Sequence, residues 1–262
     1  MADESMVRNL AHQTEAVWPQ ESQLFLRYHL PEQAQVLDVG CGTGELENRL
    51  ATLFTTASFT GIDIIEPHLV RARELCAPHG DRVRFEVGDA FALGYEDNHY
   101  DLTICRHMLQ SIPNPEEVLA EMVRVTKPGG HLHVLAEDYS MMYFHPVSQD
   151  TDEFWLKGPV QFAEGTGTDL RNGRKVPSML MALELEDVWM DYLIVDTMRV
   201  PRETFAQIWE AWRDGYSDAI VEHTEFTQEQ VANYWKTMIA AIRNPKGYAV
   251  WHIPVISARI PG

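Results

Sequence analysis

The chain has 262 residues and a formal net charge of −18, with a pI near 4.9. That acidic balance argues against a nucleic-acid backbone or an anionic membrane as partner, because both are bound through basic faces. Hydrophobic residues at 45% and charged residues at 23% fit one globular α/β domain with decorations and a full core.

Asp3 to Tyr28 reads as helix, with Pro19 dividing it into two pieces. Gln35–Val39 is a short apolar strand, and Glu45–Phe54 an amphipathic helix with Leu46, Leu50 and Leu53 on one face. Ser58–Ile62 is a strand ending at Asp63, Pro67–Cys76 a helix with proline at its start, and Val83–Val87 a strand. Asp101–Cys105 is a further strand, Pro115–Val125 a helix closed by Lys-Pro-Gly-Gly, and Gly130–Ala136 a fifth strand. Strands alternating with helices at this spacing predict βαβ units, a parallel sheet, and ligand sites at the carboxyl ends of its strands. After Glu137 the rhythm changes: residues 138–174 are rich in aromatics, Gly and Asp without a clear period. A helix and a strand follow in GRKVPSMLMALELEDVWMDYLIVDT, then amphipathic helices near Pro201–Glu222 and Thr227–Arg243, and a closing strand in GYAVWHIPVISARI.

Cys41, Cys76 and Cys105 lie far apart with no CxxC pair, the pattern of reduced thiols in a cytoplasmic compartment. The start MADESMVRNL has no basic stretch followed by an apolar core, so no leader is expected. No apolar run approaches the ~18 residues that cross a bilayer.

The stretch VLDVGCGTGE carries the chemistry. A phosphate loop needs Lys-Ser/Thr after its last glycine, but Gly44 is followed by Glu45 and Leu46. A dinucleotide fingerprint needs a third glycine where Glu45 stands, and that carboxylate opposes a pyrophosphate at the helix start.

The pattern Asp38-x-Gly40-x-Gly42-x-Gly44 resembles motif I of the S-adenosylmethionine-dependent methyltransferases with the Rossmann-like fold. GIDI at Asp63, VGDAFAL at Asp89 and YDLTICRHMLQSIPNPEEVLAEMVRVTKPGGHL continue the likeness over roughly Val36–Leu135, closest to the small-molecule branch that includes ubiquinone/menaquinone-biosynthesis-type enzymes. The resemblance implies a three-layer, seven-stranded, mostly parallel sheet with an antiparallel last strand. It divides the chain into an N-terminal helical lid (1–30), a cofactor-binding core (31–137), and substrate cap segments with the last two strands (138–262). It also implies S-adenosylmethionine as cofactor. Gly40, Gly42 and Gly44, with Cys41 among them, would admit the methionyl part, and Asp38 would face its ammonium. Asp63, with Ile64 beside it, would take the ribose hydroxyls, and Asp89 with the Ala90 N–H would take the adenine. Arg106 and His107 would line the transferring methyl.

In-line methyl transfer relies chiefly on alignment, and a base is needed only where the nucleophile must lose a proton. His107 and then Glu137 are the candidates, histidine being the residue type suited to that task near neutral pH. Tyr139, Tyr143 and Trp155, in the aromatic segment, are candidate substrate contacts, and Arg174 could grip an acidic group of the substrate or an internal carboxylate. An amine-bearing or aromatic acceptor would fit such a wall. The acceptor is a small metabolite; an amine, a hydroxyl or a carbon remains open as the acceptor group. His131 and His133 share a strand face, but without a third ligand no metal is expected. A homodimer is a candidate assembly. The competing reading is a protein that binds the cofactor without transferring methyl, as a regulator or partner subunit.

Overall fold

The computed structural model describes residues 4–262. Its centre is an eight-stranded sheet in the order β3-β2-β1-β4-β5-β8-β6, with β7 on β8. The five parallel strands are β1 (Gln35–Val39), β2 (Ser58–Asp63), β3 (Val83–Val87), β4 (Tyr100–Arg106) and β5 (Thr126–Leu135). Against them runs β8 (Tyr248–Arg259), antiparallel to β5, to β6 (Met142–His145) and to β7 (Glu186–Asp196). The mostly parallel α/β sheet with an antiparallel closing strand is therefore present, with β6 as one strand beyond the seven expected. β5 and β6 follow one another along one edge of β8, since β7 already pairs with residues 250–259 along the other.

Helices cover both faces. α2 (Glu45–Leu53) and α3 (Glu66–Cys76) bury Leu46, Leu50, Leu69 and Ala72 against Val36, Phe59, Leu102 and Ile104. α4 (Pro115–Val125) and α6 (Val176–Ala182) bury Val118, Leu119, Met122 and Leu180 against Leu37, Val39, Leu132 and Val134 on the opposite face. Val36 and Leu37 thus serve different layers, as the two-residue period of a strand requires. A third, aromatic core joins α1 (Glu4–Leu26), α5 (Asp152–Thr166), α7 (Arg202–His223) and α8 (Gln228–Arg243) to β6, β7 and β8 through Trp155, Trp209, Trp235 and Trp251.

Three expectations change. α1 runs unbroken through Pro19; the residues on either side of the proline, from Ala16 to Phe25, are largely buried, and that packing outweighs the lost backbone bond. The expected start at Asp3 lies outside the described residues. Lys-Pro-Gly-Gly forms a bulge inside β5, where register shifts between the Tyr100/Thr126 and Leu102/His131 pairs. The aperiodic segment contains β6 and the 15-residue α5, whose Gly158 and Pro159 hide its helical period. Among the described residues, no helix is long and apolar enough to cross a membrane.

Candidate functional site

Strand order reverses direction at β1, whose neighbours are β2 and β4, and the crevice of an open α/β sheet forms at such a switch point. There the glycine loop leaves β1. Gly40 and Gly42 hold φ of +80° and +55°, in the left-handed region that favours glycine. A Cβ on Gly40 would stand 2.7 Å from the Met108 sulfur, and one on Gly42 2.9 Å from Leu10 of α1. Gly44 packs instead on Ala72 and Phe85, so it serves helix packing and lines neither space described next.

The loop borders a cavity of about 320 Å³, with Gly40, Gly42, Asp63, Ile64, Asp89 and Ala90 along one side, and Arg106, His107 and Met108 along another. Met6 and Leu10 of α1 also line it. Behind it opens a recess of about 20 Å³ bordered by Asp38, Cys41, Thr43 and Arg106. Asp63 has a task the sequence reading did not show. Its Oδ2 accepts the Gly42 N–H at 2.9 Å and its Oδ1 the Ile65 N–H at 2.8 Å, so it pins the loop and the turn that precedes α3. Each carboxylate oxygen keeps a second lone pair. Asp89 likewise accepts the Phe91 N–H at 2.9 Å.

A buried charge network lies beneath. Glu21 of α1, fully buried, receives Arg106 Nε at 2.9 Å and lies 3.2 Å from His133 Nε2. Burial raises the Glu21 carboxyl, but Arg106 and His133 outweigh it and hold it below the usual range. Burial pushes His133 down against Glu21, and Tyr28 closes its other ring nitrogen at 2.8 Å. His133 is therefore a packed structural histidine, and among the described residues no three His, Cys, Asp or Glu gather as a metal site. Asp38 and Glu47 form a second buried acidic pair. Burial lifts Asp38 to about 7, with Arg106 opposing, and lifts Glu47 well above the carboxylate range, with Asp38 adding to the rise.

Sequence reading missed Glu21 and Glu47. The clue was present: Val17, Leu24 and Phe25 flank Glu21 at helical spacing, and Leu50 and Ala51 follow Glu47 by three and four. An acid inside an apolar stripe is a buried acid.

His107 and Glu137 come together from the ends of β4 and β5. His107 holds φ of +55°, a strained conformation for a non-glycine. Its N–H donates to the Leu135 carbonyl at 2.9 Å, and its Nδ1 is hydrogen-bonded to Glu137 Oε1. A carboxylate there fixes the proton on Nδ1 and leaves Nε2 as an acceptor. Nε2 is buried without a partner among the described residues.

A second cavity, about 340 Å³, lies on the far side of the segment after His107: Met108 and Ile112 line the first, Ser111 the second. Tyr139 and Trp155 line it together with Phe162, Trp212, Tyr216 and Trp235. Tyr143 and Arg174 do not. Tyr143 is exposed on β6 near His252, and Arg174 is bound to the buried Asp138, the internal-carboxylate option. Trp212 and Trp235 are both core and wall.

The family described as "Methyltransferase domain" matches residues 30–161, half of the chain. The chain belongs to this family. Trans-aconitate 2-methyltransferase of Variovorax paradoxus is 34% identical over 116 residues, 44% of this chain and 43% of that protein. The ubiquinone/menaquinone biosynthesis C-methyltransferase UbiE of Bdellovibrio bacteriovorus is 35% identical over 101 residues, 38% of this chain and 43% of that protein. The chain thus spans less than half the length of either relative. Among solved structures, phosphoethanolamine N-methyltransferase 2 of Haemonchus contortus, in complex with phosphomonomethylethanolamine and S-adenosylhomocysteine, superposes with a TM-score of 0.60 at 18% identity. That match covers 94% of this chain and 53% of the other. This methyltransferase-family alignment over 30–161 covers the glycine loop, Asp63, Asp89 and the His107–Glu137 pair, but not the helices α7 and α8 that wall the second cavity.

Proposed function

We propose that the chain is an S-adenosylmethionine-dependent methyltransferase acting on a small-molecule acceptor by in-line displacement. One observation carries the reading. Beside the bare backbone of Gly40 and Gly42, Asp38 Oδ1 is a buried acceptor and Arg106 Nη2 a buried donor, neither with a partner among the described residues. An acceptor atom of one acid and a donor atom of one base, both left open at one recess, complement the ammonium and carboxylate of an amino acid and stabilise both by charge-assisted hydrogen bonds. In the adjoining cavity, the spare lone pairs of Asp63 suit ribose hydroxyls, and Asp89 with the Ala90 N–H suits an adenine edge. Carboxyls at Asp38, Glu45 and Asp63 disfavour a pyrophosphate.

When bound, the cofactor supplies an electrophilic methyl on a sulfonium. The chain's own residues orient and enclose. Met6 and Leu10 of α1 cover the cavity and exclude water. The ion pair of Glu21 with Arg106 ties α1 to the end of β4. His107 Nε2 is the atom that can hold a proton, and Glu137 is the positioning residue that keeps its tautomer. Three unpaired, buried cysteines suit a cytoplasmic protein.

Calorimetric titration tests the reading. S-adenosylhomocysteine should bind and NAD should not, and Asp38→Ala should weaken the former at least about tenfold, as loss of one charge-assisted bond implies. Binding of NAD in place of the sulfur nucleoside would overturn it.

A further inference from the structure

The second cavity is walled by aromatic rings drawn from α5, α7, α8 and the turn after β5. Tyr139 and Trp155 stack at 5.9 Å between centroids, and Trp212 meets Tyr139 edge-on at 5.3 Å. Its polar side-chain groups are the hydroxyls of Ser111, Thr166, Thr168 and the two tyrosines and the indole N–H groups of its three tryptophans, and no charged side chain is among the described residues that line it. Such a space suits a flat, uncharged ring system. An anion would lose its water there without gaining a counter-charge, and a cation would receive only the ring faces in return.

The two cavities are neighbours. The Tyr216 hydroxyl, in the wall of the second, lies 4.0 Å from the sulfur of Met6, in the wall of the first. Ser111 separates them along the segment that begins at His107. The rings also connect, with Trp251 6.3 Å from His107 and 5.2 Å from Trp212.

Resting on the reading above, we propose that this cavity seats an uncharged aromatic alcohol, and that the chain forms aryl methyl ethers with the His107–Glu137 dyad as base. The dyad decides among acceptors. A neutral amine attacks with its own lone pair and sheds its proton afterwards. A carboxylate or thiolate arrives already charged and needs a cation, which the cavity does not offer. A phenol is neutral, fits the apolar wall, and must lose its proton as it attacks. The O–H proton passes to His107 Nε2, the oxygen pair forms the O–CH₃ bond, and the pair of the breaking C–S bond stays on sulfur. Products are the aryl methyl ether, the neutral thioether and an imidazolium beside Glu137, which returns its proton to solvent.

Two measurements test this. Equilibrium dialysis of the protein without cofactor against 2-naphthol should show saturable one-to-one binding. Thr168→Phe, which fills the rim without emptying the core, should weaken it at least tenfold while S-adenosylhomocysteine affinity holds. Trp155→Ala should act in the same direction if it stays folded. In turnover with S-adenosylmethionine, 2-naphthol, 4-phenylphenol and 7-hydroxycoumarin should give methyl ethers ahead of benzylamine, benzoate and thiophenol. His107→Ala should cost about 100-fold or more in kcat/KM on 2-naphthol, and added imidazole should restore part of that loss. Label appearing on the amine or carboxylate while the three phenols stay unmodified overturns the inference, as does dialysis showing no 2-naphthol bound or a loss that imidazole leaves untouched. Failure of S-adenosylhomocysteine to bind would instead overturn the cofactor reading, and the dialysis result would stand by itself.

Discussion

The two cavities are of similar size but differ in where their polar groups come from. The first takes its glycines and carboxylates from the turn after β1 and the ends of β2 and β3, and its cationic groups from the end of β4, set among apolar side chains such as Met6, Leu10, Ile62 and Ile65. The second is made of side chains brought from positions 111, 139, 155, 212 and 235. A ligand held by turn geometry needs glycines and acids at fixed spacing, and spacing is legible. A ligand held by ring packing needs only that large apolar residues converge, and many sequences achieve that convergence.

The strongest way to break this contrast is to remove the charge that ties the first cavity to α1. Glu21→Ala leaves Arg106 buried without its counter-ion and should destabilise the fold by about 3–5 kcal/mol, read as a fall in the chemical-denaturation midpoint. An unchanged midpoint would mean that α1 is not anchored there. Gly42→Ala should cost about 1–2 kcal/mol from its left-handed φ alone, more with the Leu10 contact, and should weaken S-adenosylhomocysteine binding. Asp63→Ala should weaken that binding by about tenfold or more, roughly 1.4 kcal/mol. It should also loosen the loop, visible as faster amide exchange at Gly42.

A pH series sharpens the contrast, because carboxyls and imidazoles line the first cavity and none is among the described residues that line the second. In the ligand-free protein the Asp38 carboxyl is pushed up to about 7 by burial, against about 3.9 in an unfolded chain. The folded state therefore binds the proton more tightly. This group's contribution to stability is complete below the unfolded value and is lost as pH rises through about 7, and Glu47 acts in the same sense. The groups around Asp38 are Glu47, Glu21, Asp63 and Arg106. An ammonium ligand favours the ionised carboxylate, so the thermal shift given by S-adenosylhomocysteine should grow from pH 6 to pH 8. Asp38→Asn should flatten that growth, and a shift that shrinks over this range would contradict the placement of the ammonium. The smallest effect concerns Arg174. Its half-exposed side chain serves Asp138 and reaches neither cavity, so Arg174→Ala should leave the acceptor KM within about twofold.

The sequence by itself determined the βαβ alternation, because two-residue and 3.6-residue periods survive in any context that buries one face. It also placed Gly40, Gly42, Asp38, Asp63 and Asp89 at strand ends, whose positions that alternation sets, and so carried the resemblance on which the proposed ligand of the first cavity rests. It proposed His107 and Glu137 separately; only the pairing of β4 with β5 made them a dyad, because they are 30 residues apart. Tertiary structure alone decided that α1 continues through Pro19 and that Arg174 answers Asp138. It alone turned Trp155, Trp212 and Trp235 into walls of one room. In each case the deciding energy is burial against partners far along the chain, which local spacing does not encode.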